Sequence, residues 1–161
     1  MSWWDNNVEY AYRTGVAADL ATQHKFNIFT ISKGDALVMG ISGKVTFQKA
    51  GTAQTLELGF TPTGGARTII GIASATTTGD VANKFYTWDG IAGSQIVVAQ
   101  TGDAIGFGVV GSVLAGTSGA INAFCPGTFD ITTAAADDAQ GLVDWYIWYK
   151  PLTPYTKVAA V

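Results

Sequence analysis

Few side chains in this chain have the type and spacing to do chemistry. Gly106-Phe107-Gly108-Val109-Val110-Gly111 spells G-x-G-x-x-G, the fingerprint that cradles a dinucleotide pyrophosphate, and Asp130 stands about where the acidic ribose ligand would. That chemistry needs a strand before the glycines and a helix N-terminus after them. Here Phe107 and Val109 alternate as a strand straight through the glycines, and no helical stretch follows. The run therefore reads as a glycine-rich strand packed closely on another. His24 is the single histidine, so no multi-histidine metal centre can form, and a serine triad would lack a G-x-S-x-G elbow to place its nucleophile. Asp144, with Asp103 or Asp130, is what remains for a paired-carboxylate mechanism. Asp137-Asp138 reads as a solvated turn. The lone cysteine, Cys125, excludes an internal disulfide framework and a cysteine zinc site, and beside Phe124 it reads as a small buried hydrophobe. Lys33-Gly34-Asp35 resembles an integrin-type tripeptide but falls where a hairpin needs a turn. This inventory predicts no catalytic residues, no cofactor and no metal, and hence no enzyme.

The elements that would carry these residues are strands. His24 to Phe47 reads as two strands joined at Lys33-Gly34-Asp35 into a hairpin around which the chain is organised. From Leu37 to Phe47 the odd positions Leu37, Met39, Ile41, Gly43, Val45 and Phe47 are expected on one face. In the first arm, Ile28 and Phe29 break parity, so that strand is either covered on both faces or bulged. Further strands are expected at Gln54–Phe60, Thr68–Ala73 (with Ile70 and Ile72), Lys84–Trp88, Gln95–Ala99, Ala104–Val110, Gly119–Cys125 and Phe129–Thr132. The last, Leu142–Lys150, places Val143, Trp145, Ile147 and Tyr149 on one face, with Leu142, Asp144, Tyr146 and Trp148 on the other. Turn clusters about every ten residues, without sustained helical periodicity, predict an all-β, single-domain antiparallel β-sandwich of jelly-roll type. Residues 1–20 are expected as an N-terminal arm or edge strand, 21–150 as the sandwich, and 151–161 as an extended C-terminal tail behind Pro151 and Pro154.

Composition narrows the partners. The 161 residues are 48% hydrophobic, 12% aromatic and only 13% charged, about half the usual charged fraction. Such a surface suits a protein packed against others. A net charge of −3 and dispersed basic residues argue against nucleic acid. No apolar run reaches the roughly 20 residues of a membrane helix, and Met1 to Tyr10 has no signal-peptide pattern, so synthesis in a cytoplasm is expected. Aromatics gather at Trp3, Trp4, Tyr10 and Tyr12 and again at Trp145-Tyr146-Ile147-Trp148-Tyr149. In the second cluster one face can be core, and the other needs a second layer, a neighbouring subunit or a ligand to cover it.

The run Phe29-Thr30-Ile31-Ser32-Lys33-Gly34 leading into Leu37-Val38-Met39-Gly40-Ile41-Ser42-Gly43-Lys44-Val45-Thr46 resembles small virion proteins of tailed bacteriophages. In those, a similar hairpin opens a β domain, and a Tyr/Trp-rich strand with a Pro-containing tail closes it, as Val143 to Pro154 does here. The chain departs from the pattern at Lys33, where the family has glycine, and at Lys44, where it has an acidic residue. The resemblance implies a capsid decoration (cement) protein at the virion surface, made in the host cytoplasm. Its implied partners are the major capsid protein and copies of itself, a trimer being favoured. Trp3, Trp4, Tyr10, Tyr12, Tyr146, Trp148, Pro151, Pro154 and Tyr155 are then the expected partner-binding residues. The alternatives are a tail, neck or fibre component, or a glycan-binding sandwich with Trp88 or the Trp145/Trp148 strand as its platform.

Overall fold

Leu142–Pro151 forms strand β11, and its alternation is the one the sequence predicts. Val143, Trp145, Ile147 and Tyr149 are buried, while the intervening residues are half-buried. The computed structural model describes residues 8–16, 25–47, 54–73, 82–88, 90, 93–99, 123–134 and 141–161. Among them every regular element is a strand: β1 Glu9–Arg13, β2 Lys25–Ser32, β3 Ala36–Phe47, β4 Leu56–Pro62, β5 Thr68–Ile72, β6 Phe85–Trp88, β7 Ser94–Gln95, β8 Val97–Ala99, β9 Ala123–Phe124, β10 Gly127–Thr133, β11, and β12 Lys157–Ala160.

The strands form two sheets. The first runs β1-β11-β3-β6-β8, with β9 also on β3, and the second runs β12-β2-β10-β4-β5-β7. Pairing is antiparallel except between β5 and β7. Without the short additions, β1-β11-β3-β6 faces β2-β10-β4-β5, and the chain crosses between sheets at every step except β4 to β5. That connectivity is a jelly-roll sandwich.

Between the sheets lies an aromatic core. Phe60, Phe124 and Phe129 form a triangle with ring centroids 4.8–5.0 Å apart, and Trp88 meets Phe124 edge-on at 6.3 Å. Each such pair contributes about 0.5–1.5 kcal/mol beyond the apolar area it buries. The Trp145 indole is also in this core, and its Nε1 has no hydrogen-bond partner among the described residues.

Several local expectations are corrected. Lys33-Gly34-Asp35 turns the chain, but β2 and β3 lie in opposite sheets, so it is a corner between layers and not a hairpin. Lys33 has φ +62°, the left-handed region, which glycine adopts far more readily than lysine. The odd row of β3 does not hold one face. Trp148 pairs with Gly40 and Tyr149 with Val38, so Met39 is an extra, bulged residue. Before it Ala36 and Val38 point inward, and after it Ile41 and Val45 do. The same device settles β2, where Ile28 is the extra residue between Asn27 and Phe29, and both Ile28 and Phe29 are fully buried. On β5 the register skips Ile70, so Ile70 is buried and Ile72 is exposed. Gln95–Ala99 is two strands in different sheets, with the buried Ile96 at the crossing. Gly119–Cys125 is described only from Ala123, and Cys125 is exposed, not buried. Ala104–Val110, with the G-x-G-x-x-G run, lies outside the described residues, as do His24, Asp103 and Asp137-Asp138.

Both ends of the described chain join the sheets. Within 1–20, Glu9–Arg13 is the edge strand β1, the second of the two forms expected there. Within 151–161, Lys157–Ala160 is paired to β2, so this stretch is not a tail. The corner at Asp35 holds the turn before it: its carbonyl accepts hydrogen bonds from Leu152 N–H (2.9 Å) and Thr156 Oγ1 (2.8 Å).

Candidate functional site

Because β11 alternates strictly, its even residues must face away from the core, and β1 adds a second row beside them. The register sets Tyr12 opposite Tyr146 and Tyr10 opposite Trp148. The Tyr12 and Tyr146 rings lie 5.0 Å apart, and Tyr146 stacks on Trp148 at 5.9 Å with 24° between planes. Tyr10 is 68% exposed and Tyr12 42%. Further across the same outer face lie half-buried Phe85, which pairs with Lys44, and exposed Val97, which pairs with Thr87. Between them the hydroxyls of Ser42 and Thr87 are buried and have no partner among the described residues. The outside of the first sheet thus carries an aromatic row on β1 and β11, with Phe85 and Val97 beyond the polar Ser42, Lys44 and Thr87.

Polar groups fasten β1 to it. Tyr12 donates its hydroxyl hydrogen to Asp144 Oδ2 at 2.8 Å, and Gly15 N–H donates to Asp144 Oδ1 at 2.9 Å. Tyr149 Oη donates to Glu9 Oε2 at 2.6 Å. Arg13 Nε donates to the Val161 carbonyl at 2.9 Å, and its guanidinium lies 5.5 Å over the Phe26 ring. Burial, and then the Glu9 hydrogen bond and charge, push the Tyr149 hydroxyl up to about 12. Burial also raises Tyr146, helped by the nearby Tyr12, Asp144 and Tyr10.

The outer face of the second sheet is different chemistry. Arg67 folds over Gly59, where a Cβ would collide with its guanidinium. Its Nε donates to Asp130 Oδ1 (2.8 Å), Nη1 to Glu57 (2.9 Å) and Nη2 to Thr132 Oγ1 (3.0 Å). Burial opposes the Arg67 charge, but hydrogen bonds to Glu57 and Asp130 and their charges outweigh it, and its pKa is raised. Asp130 is 1% exposed. It is thus half of a structural ion pair, neither a ribose ligand nor an acid/base partner for Asp144, which lies in the other sheet.

The structure brings four of the expected partner-binding residues together: Tyr10, Tyr12, Tyr146 and Trp148. Trp3 and Trp4 lie outside the described residues. Pro151 ends β11, and Pro154 and the 76%-exposed Tyr155 stand in the turn to β12, apart from the ring row. Trp88 and Trp145, the two other tryptophans named as a sugar platform, are 1% and 2% exposed and belong to the core. Sequence reasoning missed Glu9, Arg13 and Arg67. Asp130, alone between Phe129 and Ile131 on an apolar strand, was the one signal that a cation must come to meet it. Among the described residues no group of three or more His, Cys, Asp or Glu could hold a metal ion, and no helix is long and apolar enough to cross a membrane.

No protein-family model matches the chain. No curated protein matches it. A solved structure of the Gx strain of infectious bursal disease virus is similar at a TM-score of 0.31 and 10% identity, over 95% of this chain. The chain spans 39% of the length of that one.

Proposed function

We propose that this chain is a virion structural protein, a capsid decoration (cement) protein that docks the aromatic outer face of its first sheet on the major capsid protein lattice. The observation that carries the reading is the assembly of Tyr10, Tyr12, Tyr146 and Trp148 into one outward row, on a strand whose other face is wholly core. Tyr and Trp are the side chains that interfaces concentrate at their centres. The jelly-roll connectivity supports it by analogy, because viral capsid domains use that architecture, as lectin domains do. Bound copies stabilise the shell by mass action, RT ln(1 + [L]/Kd) per site. Copies of the chain are the second partner, a trimer being the favoured assembly, and the capsid surface is the proposed location.

A tail, neck or fibre position would use the same face. The glycan-binding reading keeps only Tyr146 and Trp148 of its platform, and those two rings stack on each other, which uses faces a sugar would need. The test is co-sedimentation with capsids of the encoding virus against isotherms on a polysaccharide panel. Saturable capsid binding with flat isotherms supports decoration. Polysaccharide binding that quenches tryptophan fluorescence, without capsid binding, overturns it.

A further inference from the structure

We infer that β1 is an exchangeable strand, which leaves its own sandwich as a unit and pairs onto β11 of a second copy of this chain. The core does not depend on it. None of the fully buried apolar side chains comes from residues 8–16, and Ala11 alone packs against the core from the side. The contacts that hold β1 include its ladder to β11, polar clasps of Glu9 with Tyr149, Tyr12 and Gly15 N–H with Asp144, and Arg13 with the Val161 carbonyl, the Tyr12–Tyr146 ring contact, and the Arg13 guanidinium over Phe26. Clasps at a solvent-exposed edge open at far lower cost than packed core strands. Opening leaves the sandwich intact and bares a whole edge of β11, which is a template for pairing.

The occupant is specified by that edge. It presents the Tyr149 hydroxyl to a carboxylate at one end and the Asp144 carboxylate to a hydroxyl and a backbone N–H at the other. It also offers the Tyr146 and Trp148 rings to two aromatics spaced two residues apart. The segment from Glu9 to Gly15 of another copy meets every one of these requirements, and exchange of an identical element is a low-cost route between monomer and oligomer. The inference deepens the self-association part of the proposed function. It is tested without capsids, so its failure would leave capsid binding standing.

The experiment uses two differently tagged full-length chains, each in a Cys125→Ser background, one with Tyr10→Cys and the other with Trp148→Cys. They are co-expressed, purified together, and oxidised by oxidised glutathione, which is reduced as the protein thiols join. Non-reducing denaturing gels then read the products. Positions 10 and 148 are directly opposed, so exchange predicts a covalent dimer containing one of each tag, several-fold in excess of either homodimer. Ala11→Cys with Ile147→Cys, the neighbouring opposed pair on the inward side, repeats the test should the first pair misfold. Mixed-tag dimer no more abundant than random pairing, together with purely internal closure of a Tyr10→Cys/Trp148→Cys double variant, overturns the inference.

Discussion

The two outer faces of this sandwich solve the same problem in opposite ways. Each sheet turns one side to the core and must do something with the other. On the second sheet the outward positions of β2, β4 and β10 include Thr30, Thr61, Thr128 and Thr132, and their charges are gathered under Arg67, which binds Glu57, Asp130 and Thr132 at once. Among the described strand residues there, the exposed large apolar side chains are Ile69 and Ile72 on β5. On the first sheet the outward row is Tyr10, Tyr12, Tyr146 and Trp148, continued by Phe85 and Val97. The first arrangement is complete in water. The second leaves large rings exposed, and on the proposed reading a partner completes it, as at aromatic-rich interfaces. On the proposed reading, the contrast teaches that the fold is indifferent to which face binds. The choice is written in the outward residues of β11 and β1.

The comparison breaks first at Arg67. Arg67→Met leaves Asp130, 1% exposed, without its counter-charge, and removing one partner of a buried pair costs about 3–5 kcal/mol. Chemical denaturation reads this, with capsid binding unchanged per folded molecule. On β11 the two faces should separate cleanly. Trp145→Ala empties a core site at about 3–5 kcal/mol, whereas Trp148→Ala, from a half-buried position, costs under about 2 kcal/mol and should lower capsid affinity instead.

A smaller effect sharpens the link between β1 and the face. The Tyr149 hydroxyl is held at about 12 against 10.0 when unfolded. A pKa raised by folding contributes stability that is fully present below pH 10 and is lost as pH climbs from 10 toward 12. Wild-type unfolding free energy should fall across that window more steeply than that of Tyr149→Phe, measured at matched ionic strength. The smallest effect is at Ser42, whose buried hydroxyl has no partner among the described residues. Ser42→Ala should be neutral or stabilise by up to about 1 kcal/mol in thermal unfolding, since it removes an unsatisfied polar group.

The sequence made some of this legible for physical reasons. Period-two alternation over Val143 to Tyr149 is a local property and came through intact, as did the strand content and the sandwich class. Bulges at Met39 and Ile70 did not, and the broken parity at Ile28 and Phe29 left a bulge as one of two readings, because an extra residue is defined only against a partner strand. The choice between arm and edge strand for residues near Tyr10 turns on pairing with a strand more than a hundred residues away. Arg67 and Asp130 are 63 residues apart, so no local pattern joins them. The candidate rings could be named from composition and position. Their union into one row required the register of β1 on β11.

The most direct test of the central claim is co-sedimentation of the purified protein with capsids of the encoding virus, comparing substitutions on the two outer faces. One variant carries Tyr10→Ala and Trp148→Ala on the first sheet, and the other carries Thr30→Ala and Thr128→Ala on the second. The account predicts saturable binding by wild type and by the second-sheet variant, with at least a tenfold loss, about 1.4 kcal/mol, for the first-sheet variant. Equal binding by both variants, or loss confined to the second sheet, would contradict it.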